Sequence, residues 1–144
     1  MTGDDVDPDN LAAPLRMAVV RLARRLRLED SASSITLSQL SALAVVERLG
    51  PMTLRDLAAR ERVQPPTMTR LVAALEEDGL VVREGHPTDG RVVLVTVTGA
   101  GRDVLAASRQ RRTEFLSAQL ALCSDTERTT LHDSLALLER LADA

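Results

Sequence analysis

The sequence predicts a mainly α-helical fold that includes one small β-hairpin. Apolar residues recur at helical spacing along most of the chain, whereas β-branched residues are concentrated in two runs, Leu80–Glu84 and Val92–Val97. The polar stretch between these runs contains two glycines and a proline, which is typical of a hairpin tip. With 144 residues, 44% of them hydrophobic, the chain is long enough to bury the core of one ordinary domain.

The first nine residues form a polar, acidic tail, which we expect to be disordered. A helix is then predicted from Leu11, with Pro14 in its first turn, because leucine and valine recur every three or four residues up to Leu26. So regular an apolar face needs a partner. We expect both a second copy of the chain and the C-terminal helices to supply it.

Two capping signals mark the next two helices. Thr36 and Gln39 have capping-box spacing at the start of a helix that ends before a Gly-Pro pair. Thr53 is predicted to cap a shorter helix, with the Asp56 carboxylate returning to the backbone. Residues 60–63 then form the turn into the fourth helix. The apolar residues expected to face inward are Leu40, Leu43, Ala44, Val46 and Leu49 in one helix, and Leu54, Leu57 and Ala58 in the other.

The fourth helix is predicted from about Gln64 to Gly79, because proline suits a first turn and glycine the position after a last turn. One side, expected to pack inward, carries Met68, Leu71, Val72 and Leu75. The other side carries small residues, hydroxyls and one arginine: Pro66, Thr67, Thr69, Arg70, Ala73, Ala74 and Glu77.

Such a surface suits a helix that enters a major groove, since small residues allow close approach and arginine can bind guanine O6 and N7 together. Residues 76–78 are all acidic, so we expect the N-terminal half to enter. A solvated amphipathic helix in an all-helical domain has the same pattern.

The hairpin tip, residues 85–91, is longer than a structural turn requires. Arg91 is the residue we expect to enter a minor groove, where narrow A·T-rich segments concentrate negative potential. Asp89 is predicted to hold its guanidinium through a charge-assisted hydrogen bond, and His86 to contact phosphate or solvent. Taken alone, Asp89 and Arg91 indicate a surface ion pair worth about 0–1 kcal/mol. After a helix-turn-helix, a DNA-binding wing is the better interpretation.

Together these elements make the pattern of a winged helix-turn-helix, and the sequence resembles the MarR family of bacterial transcriptional regulators. The stretches that carry the resemblance are Thr53–Ala58, Pro65–Val72, Leu75–Val81 and Asp89-Gly90-Arg91 leading to Val95–Thr98. The resemblance implies that Thr69 and Arg70 contact bases or phosphates in a major groove and that Arg91, supported by Asp89, is the wing arginine. The family more often has serine at position 66, where this chain has Pro66, so a serine contact is absent.

The two helices after the wing complete the predicted architecture. Thr98 caps a long helix with a polar middle, Arg109–Thr113, and Ser124 with Glu127 opens a last helix by capping-box spacing. We predict an acidic tail at 1–9, a winged helix-turn-helix DNA-binding domain at 36–98, and a helical dimerisation region at 10–35 and 99–144. The residues expected to form the dimer contact are Leu11, Leu15, Leu22, Leu131, Leu135 and Leu138.

The charge of the chain restricts the kind of partner. The net charge of −3 argues against nucleic-acid binding, and residues 51–102 contain seven arginines and seven acids, so even the predicted reader is neutral. We therefore expect modest non-specific affinity for DNA. With 1% aromatic residues, the chain lacks the platforms that proteins use to stack single-stranded bases or RNA.

Catalysis finds little support in the sequence. The two histidines lie in different predicted elements, without a metal-ligand partner at helical spacing, and no phosphate loop or nucleophile elbow is present. We predict no enzyme activity, no metal and no cofactor. The single cysteine, Cys123, has a leucine-rich setting that favours an inert buried thiol over a redox sensor. Without an apolar signal segment or membrane span, we expect a cytoplasmic protein.

The function predicted is that of a homodimeric regulator that binds double-stranded DNA at an inverted-repeat operator. By the resemblance, it represses transcription until a small-molecule effector enters a cleft between the dimer base and the DNA-binding region. The recognition-helix contacts expected are Gln64, Pro66, Thr67, Thr69 and Arg70. The alternatives are a winged-helix dimer that binds a protein partner, which suits the acidic balance, and a regulator that senses oxidants through Cys123.

Overall fold

The computed structural model describes residues 6–30 and 34–144, which form six helices and one two-stranded antiparallel hairpin. The predicted fold class is confirmed. The elements in chain order are α1 (Pro8–Leu28), α2 (Leu37–Leu49), α3 (Leu54–Glu61), α4 (Pro65–Glu77), β1 (Val81–Gly85), β2 (Val93–Val97), α5 (Gly99–Leu120) and α6 (Asp125–Ala142). We call residues 36–98 the head, and α1 with α6 the base.

Helix α1 begins three residues earlier than predicted. The Asp7 carboxylate accepts a hydrogen bond from the Asp9 N–H at 3.1 Å, and Pro8 occupies the first helical position, where its missing N–H costs nothing. Pro14 therefore lies inside the helix, not in its first turn as predicted. Two residues of the predicted disordered tail are thus helical. Residues 1–5 of that tail lie outside the described residues, as do residues 31–33.

The caps of α2 and α3 are only partly as predicted. The capping box of Thr36 and Gln39 is confirmed in both directions. The Thr53 hydroxyl oxygen accepts from the Asp56 N–H at 3.1 Å. The Asp56 carboxylate does not accept a hydrogen bond from the Thr53 N–H, so that prediction is wrong. Leu49, expected to face inward, is 46% exposed, because it lies in the last turn of α2.

The core of the head is apolar and draws on every element from α2 to the start of α5. Met52 forms an isolated bridge with Val95, exchanging two backbone hydrogen bonds of 3.3 and 2.8 Å, and so ties the α2–α3 loop to the hairpin. The buried core residues are Ile35, Leu40, Ala42, Leu43, Val46, Met52, Leu57, Ala58, Met68, Val72, Leu75, Leu80, Val81, Val95, Val97 and Leu105.

The hairpin pairs from Val81 opposite Val97 to Gly85 opposite Val93. Strand β1 is shifted by one residue from its predicted bounds, and β2 begins one residue later than predicted but ends at Val97 as predicted, because pairing begins after Leu80 and ends with Gly85. An ion pair of 3.1 Å between Arg83 and Glu76 links β1 to the last turn of α4. The position of the wing therefore follows that of α4.

Helix α5 is fastened to the head at its first turn. Thr98 caps the helix as predicted, since its hydroxyl oxygen accepts from the Gly101 N–H at 3.1 Å, and the hydroxyl also donates to the Gly79 carbonyl at 2.7 Å. Gly101 is buried so closely against β1 that an added Cβ would lie 2.2 Å from the Leu80 carbonyl oxygen. The helix axis is therefore positioned by backbone contact.

The base is exposed within this chain. Neither α1 nor α6 contains a buried residue, and the α6 leucines 131, 135, 137, 138 and 141 are between 38% and 54% exposed. The predicted capping box of α6, Ser124 with Glu127, is confirmed. Leu122 lies beyond the end of α5 and is 82% exposed. On the α1 side, the Arg25 guanidinium lies 4.2 Å from the centroid of the Phe115 ring.

The predicted polar middle of α5 makes ionic contacts with two other parts of the chain. The Arg109 guanidinium binds Glu47 of α2 at 2.5 Å, and this bond raises the pKa of Arg109. Arg111 and Arg112 both bind Asp30, which follows α1. These arginines connect α5 to the head and to the base. The polar composition of this segment therefore has a structural cause.

We expect Gly101→Ala to lower the free energy of unfolding by about 1–3 kcal/mol, because the added methyl group collides with the Leu80 backbone, which cannot move aside freely. Gly99→Ala is the matched control. It is exposed, its added Cβ meets nothing within 4 Å, and alanine favours a helix, so it should not destabilise the chain. Urea unfolding of both variants measures the difference. Equal stability of the two would contradict the assigned contact.

Candidate nucleic-acid interface

The packing of α4 determines which of its sides faces out. Met68, Val72 and Leu75 are buried and Leu71 is half-buried, so the inward side is as predicted. The helix begins at Pro65 and Pro66, whose ring geometry suits the first turn, and ends before Gly79, which has a φ of +72°.

The outward side of α4 combines hydroxyl, amide and guanidinium groups. Gln64, Pro66, Thr67, Thr69 and Arg70 are all exposed. The Thr69 hydroxyl donates to the Pro65 carbonyl at 3.0 Å, so it is left with acceptor capacity only. Within the part of the chain that the structure describes, the Arg70 guanidinium has no hydrogen-bond or ion-pair partner. It is free to bind an external acceptor.

The turn from α3 to α4 begins later than predicted, at Arg62, because Arg60 and Glu61 belong to α3. Arg62 has φ +54° and ψ +43°, the only positive φ of a non-glycine residue in the described ranges. That conformation costs an L-residue about 1–2 kcal/mol, and glycine usually occupies it. The sequence has no glycine at this position, so the left-handed conformation of Arg62 was not predicted. Its side chain is exposed beside the start of α4.

The side chains of His86 and Asp89 hold the backbone of the wing tip. The His86 Nδ1 accepts from the Thr88 and Asp89 N–H groups at 3.2 and 3.3 Å, so the ring supports the tip backbone. Asp89 Oδ1 accepts from the Arg91 backbone N–H at 3.1 Å and from its Nε at 3.3 Å. The predicted Asp89–Arg91 contact is therefore confirmed, while the Arg91 side chain remains 94% exposed.

Several acidic side chains of the head are engaged by neighbouring groups, whereas several arginines are not. Glu76 pairs with Arg83 and Asp89 with Arg91, and the Ser41 hydroxyl holds Glu61 back against α2 at 2.7 Å. Four exposed arginines of α3, the turn and α4 have no acidic partner among the described residues: Arg55, Arg60, Arg62 and Arg70. The head has seven arginines and eight acids, yet these four guanidiniums give it a locally positive surface around the start of α4.

An open cavity of 420 Å³ lies where the head meets the base. It is lined by the end of α1, by α2 and by the middle of α5, with leucines and alanines on its walls and Ser41, Ser108, Arg27, Arg109 and Arg112 among them. Such a mixture of apolar walls and a few polar groups is typical of a small-molecule site. It lies in the region where we predicted an effector cleft.

Cys123 lies in the turn between α5 and α6. The thiol is half-buried, not fully buried as predicted, and donates to the Gln119 carbonyl at 3.7 Å. Its exposure follows from its place after the last turn of α5. This contact does not indicate a role for the thiol.

The fold and the exposed side of α4, followed by an arginine-tipped hairpin, define a winged helix-turn-helix DNA-binding protein. The MarR family model matches residues 35–93. The HTH-type transcriptional regulator MT0903.1 of Mycobacterium tuberculosis is 45% identical over 133 residues, which cover 92% of this chain and 93% of that protein. The chain belongs to the MarR family of transcriptional regulators, and these are not enzymes.

Solved structures agree with this fold. A transcriptional regulator protein from Pseudomonas aeruginosa superposes with a TM-score of 0.82 at 36% identity, covering 100% of this chain and 99% of that one. A Staphylococcus aureus MepR mutant, bound to an oligodeoxyribonucleotide, has a TM-score of 0.71 at 20% identity, with 91% and 97% covered. At that identity the likeness shows the shared fold alone. None of the described helices of the present chain is long and apolar enough to cross a membrane.

We expect Arg62→Gly to raise the free energy of unfolding by up to about 1 kcal/mol, because glycine adopts this positive φ without the penalty of a Cβ. Arg60→Gly is the matched control, since it removes an equally exposed arginine from the last turn of α3, where glycine should destabilise by about 1 kcal/mol. Chemical unfolding of both variants tests this. A loss of stability in Arg62→Gly would show that its side chain matters more than its backbone.

Proposed function

We propose that the chain acts in the cytoplasm as a homodimeric repressor, which binds an inverted-repeat operator and is released by a small-molecule effector. The observation that carries the proposal is the pairing of two surfaces. One is the positive surface at the start of α4, and the other is the uncovered apolar base formed by α1 and α6.

The apolar base supports the dimer. Leucines on α1 and α6 are about half exposed, although they lie at regular helical spacing and would be buried in a completed core. The residues concerned are Leu11, Leu22, Leu131, Leu135 and Leu138, with Leu15 already half-buried. A second copy of the same chain offers the same faces, which is what a two-fold symmetric interface needs.

The surface area of the single chain supports the same conclusion. Its accessible surface is 10606 Å², whereas a compact monomer of 15.6 kDa exposes about 7,300 Å². An excess of roughly 3,000 Å² indicates a chain that is not compact on its own. Obligate homodimers commonly bury about 2,000–5,000 Å² in total, or about 1,000–2,500 Å² per chain, so pairing would remove a large part of this excess from solvent.

The head supports DNA as the partner in preference to a protein. Most acids of the head are paired, held against α2, or located at the C-terminal end of α4, while Asp56 and Glu84 are exposed without a partner among the described residues. The exposed guanidiniums of Arg70 and Arg91 remain available, one on a helix of groove-entering character and one on a projecting tip. Two heads related by a two-fold axis require half-sites spaced by about 10 bp or a multiple of it.

The cavity supports regulation by a ligand. It lies between the elements that carry the base and those that carry the head, so a ligand there contacts both. A ligand shifts the equilibrium only if its affinity differs between the DNA-binding form and another form. Release from the operator would follow if the ligand prefers a form in which the two heads have a different separation.

Substitution of the two arginines distinguishes specific from non-specific binding. With an operator selected from a random duplex library by the unmodified protein, we expect Arg70→Ala to lose about 1–3 kcal/mol of discrimination against mismatched sites. Arg91→Ala should weaken binding chiefly to operators with A·T-rich flanks. Fluorescence polarisation at fixed salt measures both effects. Arg140→Ala, in the last turn of α6, serves as the control and should bind like the unmodified protein.

Equal losses by Arg70→Ala on operator and random duplex would make Arg70 a phosphate contact instead of a base contact. A protein that selects no duplex at low salt would contradict the proposed function itself and would favour a protein partner.

Disruption of the base tests the dimer. Leu135→Asp places a charge on the exposed apolar face of α6, so burying that face against a partner would cost several kcal/mol. We expect a monomer in sedimentation at micromolar concentration, with normal helical content and weak operator binding. His132→Asp adds the same charge beside the face, at an already exposed position, and should leave the dimer intact. A dimeric Leu135→Asp protein would place the interface elsewhere.

A further inference from the structure

A buried carboxylate lies at the end of α1. The Asp30 side chain is 2% exposed, although it follows a helix without a single buried residue. The only other buried polar side chain among the described residues is Ser108 of α5, whose hydroxyl hydrogen-bonds Asp30. The attachment of the end of α1 to α5 through Asp30 is therefore polar.

Two consecutive arginines of α5 hold this carboxylate. Arg112 Nε donates to Asp30 Oδ2 at 2.6 Å, and Arg111 Nη2 donates to Oδ1 at 3.1 Å. A second nitrogen of Arg112 also binds Oδ2. Both carboxylate oxygens are thus occupied by different side chains. Because the donors come from two directions, the carboxylate is fixed in angle as well as in distance.

Stability alone does not explain this cluster, because burying charged groups is unfavourable. Burial raises the pKa of Asp30, but hydrogen bonds from Ser108 and Arg112, the charge of Arg112 and a hydrogen bond from Arg111 together lower it below its ordinary value. The Arg111 Nε is buried without a partner in the described chain, which destabilises the fold. An apolar contact of the same size would often be equally stable, so geometric definition is the better reason for the cluster.

The position of the cluster gives that geometry a consequence. The first turn of α5 is fastened to the head through Thr98 and Gly101, and its middle is fastened to α1 through Asp30. Helix α5 is rigid between these points, which lie about ten residues, or roughly 15 Å, apart. Because α5 is attached to both the head and the end of α1, it determines the direction of α4 relative to α1.

We propose that Asp30 is a positioning residue for DNA recognition: bound to Arg111 and Arg112, it sets the angle between base and head and thereby the half-site spacing the dimer accepts. This inference rests on the proposed function, because the spacing has meaning only for a dimer on DNA. Ser108 and Arg112 also line the 420 Å³ cavity. A ligand in the cavity touches the same groups and so acts on the same angle.

The inference is tested on duplexes whose half-sites are moved together or apart in steps of one base pair. Each step displaces a half-site by about 3.4 Å and rotates it by about 34°. We expect the unmodified dimer to lose about tenfold in affinity one base pair from its optimum. Asp30→Asn keeps the shape but removes the charge, so its loss per step should be less than about threefold, with unchanged affinity for a duplex carrying a single half-site.

Two further variants make the test decisive. Arg111→Gln removes one of the two arms at a residue that is 36% exposed, so it tolerates replacement and should give an intermediate spacing preference. Glu47→Gln removes the Arg109 ion pair, which joins α5 to the head only, and should keep the full tenfold preference. If Asp30→Asn does not fold, Arg111→Gln decides the question.

Unchanged spacing preference in Arg111→Gln and in any folded Asp30→Asn would overturn the inference, as would an equal change in Glu47→Gln. These results are distinct from failure of the proposed function, in which the unmodified protein would itself show no preference among spacings. A merely structural role for Asp30 would lower the unfolding midpoint and leave the ratio of affinities between spacings unchanged.

Discussion

The inward packing of one helix face determines what the rest of the head can do. Met68, Val72 and Leu75 fix the rotation of α4 about its own axis, because each is buried against the core. The opposite face follows without further choice, since side chains on a helix repeat every 3.6 residues. Arg70 and Thr67 are outward because these three residues are inward. Loss of this packing would rotate the reading surface as well as destabilise the fold.

The acidic balance of the chain is compatible with DNA binding because charge is distributed by contact. Glu76 is paired with Arg83, and Glu61 accepts a hydrogen bond from Ser41. The uncompensated arginines lie near the N-terminal end of α4, whose partial positive charge adds to theirs. Electrostatic attraction acts over about 10 Å at moderate salt, so the local surface matters more than the net charge of −3.

Local signals made most of the fold predictable. Capping residues, proline pairs and apolar spacing act over three or four positions, so the sequence alone marks where α2, α4 and α6 begin. The wing contact of Asp89 with Arg91 was predictable for the same reason, since the two residues are neighbours. The start of α1 was misplaced because Asp7 and Pro8 supply a cap within a stretch whose composition suggests disorder.

Long-range and conformational features were not predictable in this way. Asp30 and Arg112 are 82 positions apart, and neither residue type indicates burial, since most aspartates and arginines are exposed. The left-handed conformation of Arg62 had no signal either, because the usual signal is a glycine that this chain lacks. Both features arise where elements meet, and the meeting depends on the whole fold.

The contrast between the two ionic contacts of α5 shows why buried charge serves geometry. Arg109 and Glu47 are partly exposed, so water can replace either partner, and the contact constrains the helices weakly. The Asp30 side chain is only 2% exposed, so any displacement of α1 that lengthens its bonds leaves a nearly buried carboxylate without partners. The energy therefore rises steeply with distance at Asp30 and gently at Glu47. A steep restraint at the junction of base and head makes the dimer accept one half-site spacing. A ligand that binds Arg112 in place of Asp30 removes the restraint.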